Sequence, residues 1–341
     1  MKKKIVDLFE SVDEKVKKTL KGVVKNFKFV NATDKINGLK TLLKHRDNIQ
    51  KERIRICNRL GLKSDLKTIQ NVKITLRKEE YELLYYHAKY LKKQEKELLK
   101  RILNILETFP IFKNYLVNLQ NVKAATSGWL VAMIDIHKAA MPSQIFQYVG
   151  FNPGMVRGVK RVHKSKYEKK MGQIIKEVEC KNFKTGRMGI DYFVLTDKMV
   201  RGDRLTPGFV SPFNTQLKKV LMGMMSKNFI LGQTSYAMEY YYPYKERLSK
   251  EENVIVGTED NESGPKRWKD VSDGHRDMAA RRYMMKAFIK DLYVVWRGME
   301  GLPVRKPYEE EYLGIKHDSF KEENDEYVKI INNGDFGKLS N

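Results

Sequence analysis

Few residues in this chain fall in patterns that do chemistry. The histidines His45, His87, His137, His163, His275 and His317 are scattered, and none sits in a metalloprotease-type helix. A lone histidine is more often structural than ligating. The two cysteines, Cys57 and Cys180, are too few for a disulfide framework and too far apart for a zinc knuckle. A two-metal nuclease needs three or four carboxylates converging on Mg²⁺. The acidic residues nearest the start, Asp7, Glu10, Asp13 and Glu14, are interleaved with lysines and read as a solvated helix face. There is no phosphate-binding P-loop sequence and no dinucleotide fingerprint. The expectation is a chain without a metal or other cofactor, needing Mg²⁺ only if it cuts strands. Evidence for an enzyme is weak.

Charge is more informative. Of 341 residues, 66 are Lys or Arg and 42 are Asp or Glu, a net charge of +24. Such an excess points to a polyanionic partner, most often nucleic acid. A lysine-rich composition without a partner is the bland alternative. The excess is uneven. Residues 1–110 hold 28 basic and 14 acidic side chains, residues 156–225 hold 16 and 6, and residues 301–341 hold 6 and 9. Basic patches are therefore expected in the first third and the middle, with an acidic, mobile tail. The scarce cysteines fit a reducing, cytoplasmic setting. Met1-Lys2-Lys3-Lys4 is not followed by a signal-like apolar run, and no run of about 18 apolar residues could span a membrane.

The elements that must position these charges read as mainly α. Residues 1–75 form a basic helical region, with breaks expected at Asn31-Ala32-Thr33-Asp34, at Asn37-Gly38 and after Gly61. Residues 76–110 hold one long coiled-coil-like helix. Its seam runs Tyr81, Leu84, Ala88, Leu91, Glu95, Leu98, Ile102, Ile105, Phe109, and only Glu95 is polar. A homodimer through 81–109, or an intramolecular hairpin with an earlier helix, would each bury that seam. Residues 111–156 read as a helix–hairpin–helix-like module. A helix runs to Leu119, a turn spans Gln120 to Ala124, and an apolar helix continues through Ile136. The turn lacks glycine, but Asn121 tolerates positive φ and Lys123 could meet a phosphate. Residues 157–210 form a basic insert, with a β-hairpin or small sheet expected. Residues 211–302 return to helix, apart from an exposed polar loop at 251–270. Residues 303–341 are the acidic tail.

The helix opening at Gly274-His275-Arg276 is basic and amphipathic. Met278, Met285, Phe288, Leu292 and Val295 make its apolar stripe, and Arg276, Arg281, Arg282, Lys286 and Lys290 lie mostly off it. Such a helix can pack on a core and still offer cations to a polyanion. A core helix with a solvated charged face is the competing reading.

Several segments then follow in a recognisable order. An apolar helix ends Ile134-Asp135-Ile136. Next come Pro142-Ser143-Gln144-Ile145-Phe146-Gln147-Tyr148-Val149-Gly150, then Phe213-Asn214-Thr215-Gln216-Leu217-Lys218-Lys219, then Tyr240-Tyr241-Tyr242-Pro243-Tyr244-Lys245, and last the Gly274 to Trp296 helix. Over roughly residues 110–300 this order resembles the C-terminal half of insertion-sequence transposases. Those enzymes join an N-terminal DEDD nuclease domain to a helix–hairpin–helix domain with a nucleophilic serine, and they use a bridging RNA. Gln147-Tyr148-Val149-Gly150 is similar to the family's aromatic–small–glycine signature. Two departures stand out. About 110 residues of basic helix replace the DEDD domain. The family's serine–glycine pair maps to Arg201-Gly202, and its second segment maps to Gly208-Phe209-Val210-Ser211. Ser211 is the nearest hydroxyl, and its bland role is a helix N-cap before Pro212.

The resemblance with both departures implies a non-catalytic DNA-binding protein from a mobile element or phage. The cations expected to carry binding are Lys123, Arg157, Lys160, Arg161, Arg201, Arg204, Lys218, Lys219, Arg276, Arg281 and Arg282. Duplex or branched DNA is the expected partner, and structured RNA is an alternative. Two other readings stay open: an active recombinase using Ser211, and an RNA-binding assembly protein that dimerises through 81–109.

Overall fold

The computed structural model describes residues 32–70, 75–181, 188–255, 264–306 and 308–312. The described chain is mainly helical, with one small antiparallel sheet. It divides into two compact units. The expected helices of residues 1–31 and most of the acidic tail lie outside the described residues.

The first unit runs to Val117 and resumes at Lys123–Met133. It packs α1 (Ala32–Arg59), α2 (Lys78–Leu106) and α3 (Ala124–Met133). The long helix expected at 77–109 forms, and its seam is buried inside the chain. Ala88, Leu91, Glu95, Leu98, Ile102 and Leu106 are the buried positions of α2. Cys57 and Leu60 of α1 cluster with Ala88 and Leu91. Farther along, Leu43 and Ile102 both approach Gly128 of α3, where an added Cβ would lie 3.1 Å from Leu43. α1 and α2 are thus antiparallel, and of the two ways to bury the seam the fold realises the intramolecular one. Glu95 is not a solvent-facing interruption. Its Oε1 accepts from Arg46 at 2.7 Å and its Oε2 from Arg53 at 3.0 and 2.8 Å. These three charged groups are buried and pair with one another, although Arg46 Nε has no partner.

Of two expected breaks, the first falls at the start of α1, with Asn31 outside the described residues, and the second does not occur. Ala32-Thr33-Asp34 start the helix, and Asn37-Gly38 lie inside it. Burial of Leu39 and Leu43 outweighs the modest cost of one helical glycine. The break after Gly61 is real. Gly61 takes φ 64° and Leu62 N–H returns to the Cys57 carbonyl at 2.9 Å, as at a helix C-terminus.

The hairpin-like connection is longer than expected. A π-helical turn, Phe112–Leu116, precedes it, and α3 stops at Met133 rather than Ile136. Asn121 adopts φ 64°, the positive value its residue type allows.

The second unit contains α4 (Pro142–Val149), β1 (Met155–His163), β2 (Gln173–Lys181), β3 (Met188–Arg201), α5 (Thr215–Lys218), α6 (Ser226–Leu231), α7 (Tyr242–Lys250), α8 (Asp273–Met299) and α9 (Tyr308–Glu311). π-helical turns at Lys219–Met225 and Ala237–Tyr241 link the middle helices. α8 is the spine. Ser272 caps its start, accepting from His275 N–H at 3.4 Å. Met284, Met285, Phe288, Leu292 and Val295 are buried, whereas Met278, expected on the same stripe, is 48% exposed. Phe288 meets Phe229 edge-on at 5.8 Å. Arg297 is buried, and its guanidinium donates to the carbonyls of Ile136, Ala139 and Pro303 at 3.0, 2.7 and 2.6 Å. The sheet has order β1-β3-β2, with both pairs antiparallel. It begins two residues before the expected boundary at 157 and ends at Arg201. Of the polar loop at 251–270, residues 256–263 lie outside the described residues; the rest is tied by a bridge between Val254 and Arg267. No described helix is long and apolar enough to cross a membrane.

Candidate nucleic-acid interface

The segments that follow one another in sequence meet in space around one carboxylate, Asp203. Gly150 ends α4 at φ 76°. Its missing side chain matters, because a Cβ there would lie 2.5 Å from the Phe213 ring. Asn214 caps α5, accepting from Leu217 N–H at 2.9 Å. It is also tied to Tyr148, its N–H donating to the Tyr148 carbonyl at 2.8 Å and its side-chain amide to the Tyr148 hydroxyl at 2.7 Å. Lys218 donates to the carbonyls of Gly150 and Asp203 at 2.9 and 2.7 Å, and lies 4.3 Å above the Phe213 ring. Arg201 pairs with the Asp203 carboxylate at 2.9 Å, and Arg282 of α8 reaches it at 3.6 Å.

The knot sets three cations against one carboxylate. Burial works against an ionised Asp203, but Arg201, then Arg282 and Lys218, outweigh it and hold the carboxyl below the usual range. Burial pulls the Lys218 ammonium below its ordinary value, with Arg282 adding to the effect and Asp203 opposing it. Beside the knot, Tyr244 stacks on Tyr283 at 4.2 Å and carries Arg247 4.7 Å above its ring.

Five of the eleven cations expected to meet phosphate are engaged with groups of the protein itself. Arg276 donates to the carbonyls of Trp268, Lys269 and Val271. Arg281 pairs with Asp277 at 2.9 Å, and the same carboxylate accepts from the Tyr241 hydroxyl. Arg201, Lys218 and Arg282 form the knot. Each of these groups has a partner within the protein, near in sequence for Arg276, Arg281 and Arg201 and distant for Lys218 and Arg282. Arg157 pairs with Asp197, and Arg161 with Asp191 at 2.7 Å. Asp197 is 95% exposed and Arg157 53% exposed, so their pair is worth little and exchanges readily for another anion. Lys160, Arg204 and Lys219 are exposed. Lys123 is exposed too, but belongs to the first unit.

The Ser211 hydroxyl donates to the Phe213 carbonyl at 2.8 Å. It is not the helix cap; Asn214 takes that role because α5 begins at Thr215.

The sheet carries a cationic surface. On one face Tyr192, Val194, Thr196 and Val200 are buried. The alternate residues of β3 face the other way. There Phe193 pairs with Arg161 on one side and Lys176 on the other, and the Arg161 guanidinium lies 5.9 Å from its ring. At the edge, Phe209 packs on Gly158, where an added Cβ would come within 2.6 Å of the ring. Lys160 and Lys198 approach the same ring at 5.2 and 5.8 Å. The connection from β1 to β2 adds Lys164, Lys166, Lys169 and Lys170, all exposed. Sequence reasoning located this basic insert but selected only Arg157, Lys160, Arg161, Arg201 and Arg204 within it. The lysines of the connection carried the signal in their density.

One group of side chains escaped the sequence reading altogether. His163, Cys180 and Asp191, one from each strand, place their ligand atoms within 4.8 Å of one another. Among the described residues no other group of three or more such side chains gathers, so no carboxylate cluster of the two-metal kind is present there. Cys57 and Cys180 are both free. No protein-family model matches this chain, and no curated protein matches it in sequence.

Proposed function

We propose that this chain is a non-catalytic nucleic-acid-binding protein, built on the scaffold of the transposase C-terminal region it resembles and directed at duplex or branched DNA in the cytoplasm. The observation that carries the reading is the basic sheet. It offers exposed lysines and arginines on two strands and their connection, with Phe193 and Phe209 interleaved among them. Cations of this kind release counterions from a phosphate backbone, and aromatic rings add stacking or cation–π contacts. The scaffold part draws on the meeting of Tyr148-Gly150, Arg201-Asp203, Phe213-Lys218 and Arg282. The non-catalytic part rests on Ser211, whose hydroxyl bonds the backbone, and on Asp203, a single carboxylate neutralised by three cations.

The test is charge reversal on the connection. Lys164→Glu with Lys166→Glu should weaken duplex binding without changing the fold, because both side chains are exposed. Unchanged affinity would remove the sheet from the interface. A denaturing gel with Mg²⁺ separates binding from cleavage; cut strands or a covalent adduct would revive the recombinase reading.

A further inference from the structure

We infer that His163, Cys180 and Asp191 form a divalent-metal site of the zinc class that staples the three strands of the sheet at one end. The register brings them together. His163 is the cross-strand partner of Asp191, and Cys180 is the partner of Gly189, two residues before Asp191 on the same strand. All three therefore lie on the face that also carries Phe193.

Three local features suit a ligand set rather than a chance meeting. Gly189 clears the space in front of the histidine: a Cβ there would lie 2.7 Å from His163 Nε2 and 3.6 Å from Cys180 Sγ. His163 Nδ1 lies 2.8 Å from Ser165 Oγ. Ser165 N–H also approaches Nδ1, at 3.3 Å, so a metal on Nε2 calls for the tautomer in which Nδ1 carries the proton and donates to that hydroxyl, the usual outer support of a metal-bound histidine. Asp191 is held from behind by Arg161 Nε on Oδ2 at 2.7 Å, which fixes the carboxylate while leaving its other oxygen for a metal.

The donor set selects the ion. One imidazole, one thiolate and one carboxylate suit zinc or cobalt, and the sulfur disfavours Mg²⁺ and Ca²⁺. Zinc bonds of about 2.0–2.3 Å put tetrahedral ligands roughly 3.3–3.8 Å apart, so the three atoms must close by about 1 Å. Small side-chain rotations supply that. Water completes the fourth position. The metal takes the place of the Cys180 thiol proton, which leaves to buffer as the thiolate–metal bond forms. The Arg161 charge opposes a dication, so binding is weaker than at a closed four-ligand site.

Zinc titration of the chelator-treated full chain tests this, with bound metal counted by elemental analysis and Co²⁺ used as a spectroscopic probe. One zinc per chain is expected, with a cysteinate-to-cobalt absorption band and a higher melting temperature. Cys180→Ser should lose the band, and Cys180→Ser and His163→Gln should each lose the bound zinc; Cys57→Ser should keep both. Circular dichroism checks that each variant folds, and the wild-type cobalt band reads the site without any variant. A wild-type chain that stays metal-free at equimolar zinc overturns the site. So does zinc uptake that survives both Cys180→Ser and His163→Gln. No nucleic acid enters this test, so its result is independent of the proposed function.

Discussion

Arg282 on α8 lies 3.6 Å from the carboxylate of Asp203, which Arg201 holds at 2.9 Å. An arginine that reads from the sequence as a phosphate contact thus has a carboxylate partner within the fold. Removing Asp203 would leave Arg201, Arg282 and Lys218 facing one another with no anion between them. Asp203→Asn should cost about 2–3 kcal/mol, or roughly 4–12 °C in melting temperature for a unit of this size. Calorimetry would read it. Arg282→Gln should also lower the melting temperature while leaving the DNA affinity of the folded protein little changed.

The same carboxylate sets a pH dependence. Its folded pKa is depressed, with burial opposing the ionised form and the Arg201, Arg282 and Lys218 charges prevailing. A depressed folded value contributes stability that is fully present above the unfolded pKa of about 3.9 and is lost as pH falls through the folded one. Urea midpoints should therefore be insensitive to this group near neutrality and fall as the medium is acidified below about pH 4. In Asp203→Asn the acid limb should be shallower. An unchanged acid limb in the variant would mean that Asp203 does not set it.

In the first unit, Glu95 joins Arg46 and Arg53 in a buried triad. Breaking such a group from one side strands the opposite charge. Glu95→Ala should cost about 3–5 kcal/mol. Replacing all three with apolar residues of similar volume should cost much less, or nothing. A denaturant titration of both variants distinguishes a desolvated triad from a weak surface pair, for which Glu95→Ala would change little.

Gly150 tests how α4 meets α5. Its φ of 76° disfavours any side chain, and a Cβ would collide with Phe213. Gly150→Ala should destabilise by about 1–3 kcal/mol. Adding Phe213→Leu should restore part of that stability, since it removes the ring but not the unfavourable φ. If Gly150→Ala melts like the parent, the packing of Phe213 on this turn is not as described.

Local patterns were legible in the sequence, and pairings were not. The heptad seam, the end of α1 at Gly61, the positive φ of Asn121 and the basic sheet all follow from residue type and spacing over a few positions. Asn37-Gly38 misled because burial of Leu39 and Leu43 overrides a local break. Met278 fits the apolar period of α8 yet sits at its exposed first turns. The fate of the arginines was out of reach, since Arg282 and Asp203, or Arg53 and Glu95, meet only through the tertiary fold. His163, Cys180 and Asp191 escaped for the same reason: strand register, not spacing along the chain, brings them together.

The most direct measurement is the salt dependence of duplex DNA affinity for the parent chain and for Lys164→Glu with Lys166→Glu. If the basic sheet is the interface, log affinity falls steeply and linearly with log salt. The slope of the double variant is then shallower by about two, one for each lysine that no longer meets a phosphate. Absence of binding at low salt, or parent and variant lines with the same slope and affinity, would contradict it.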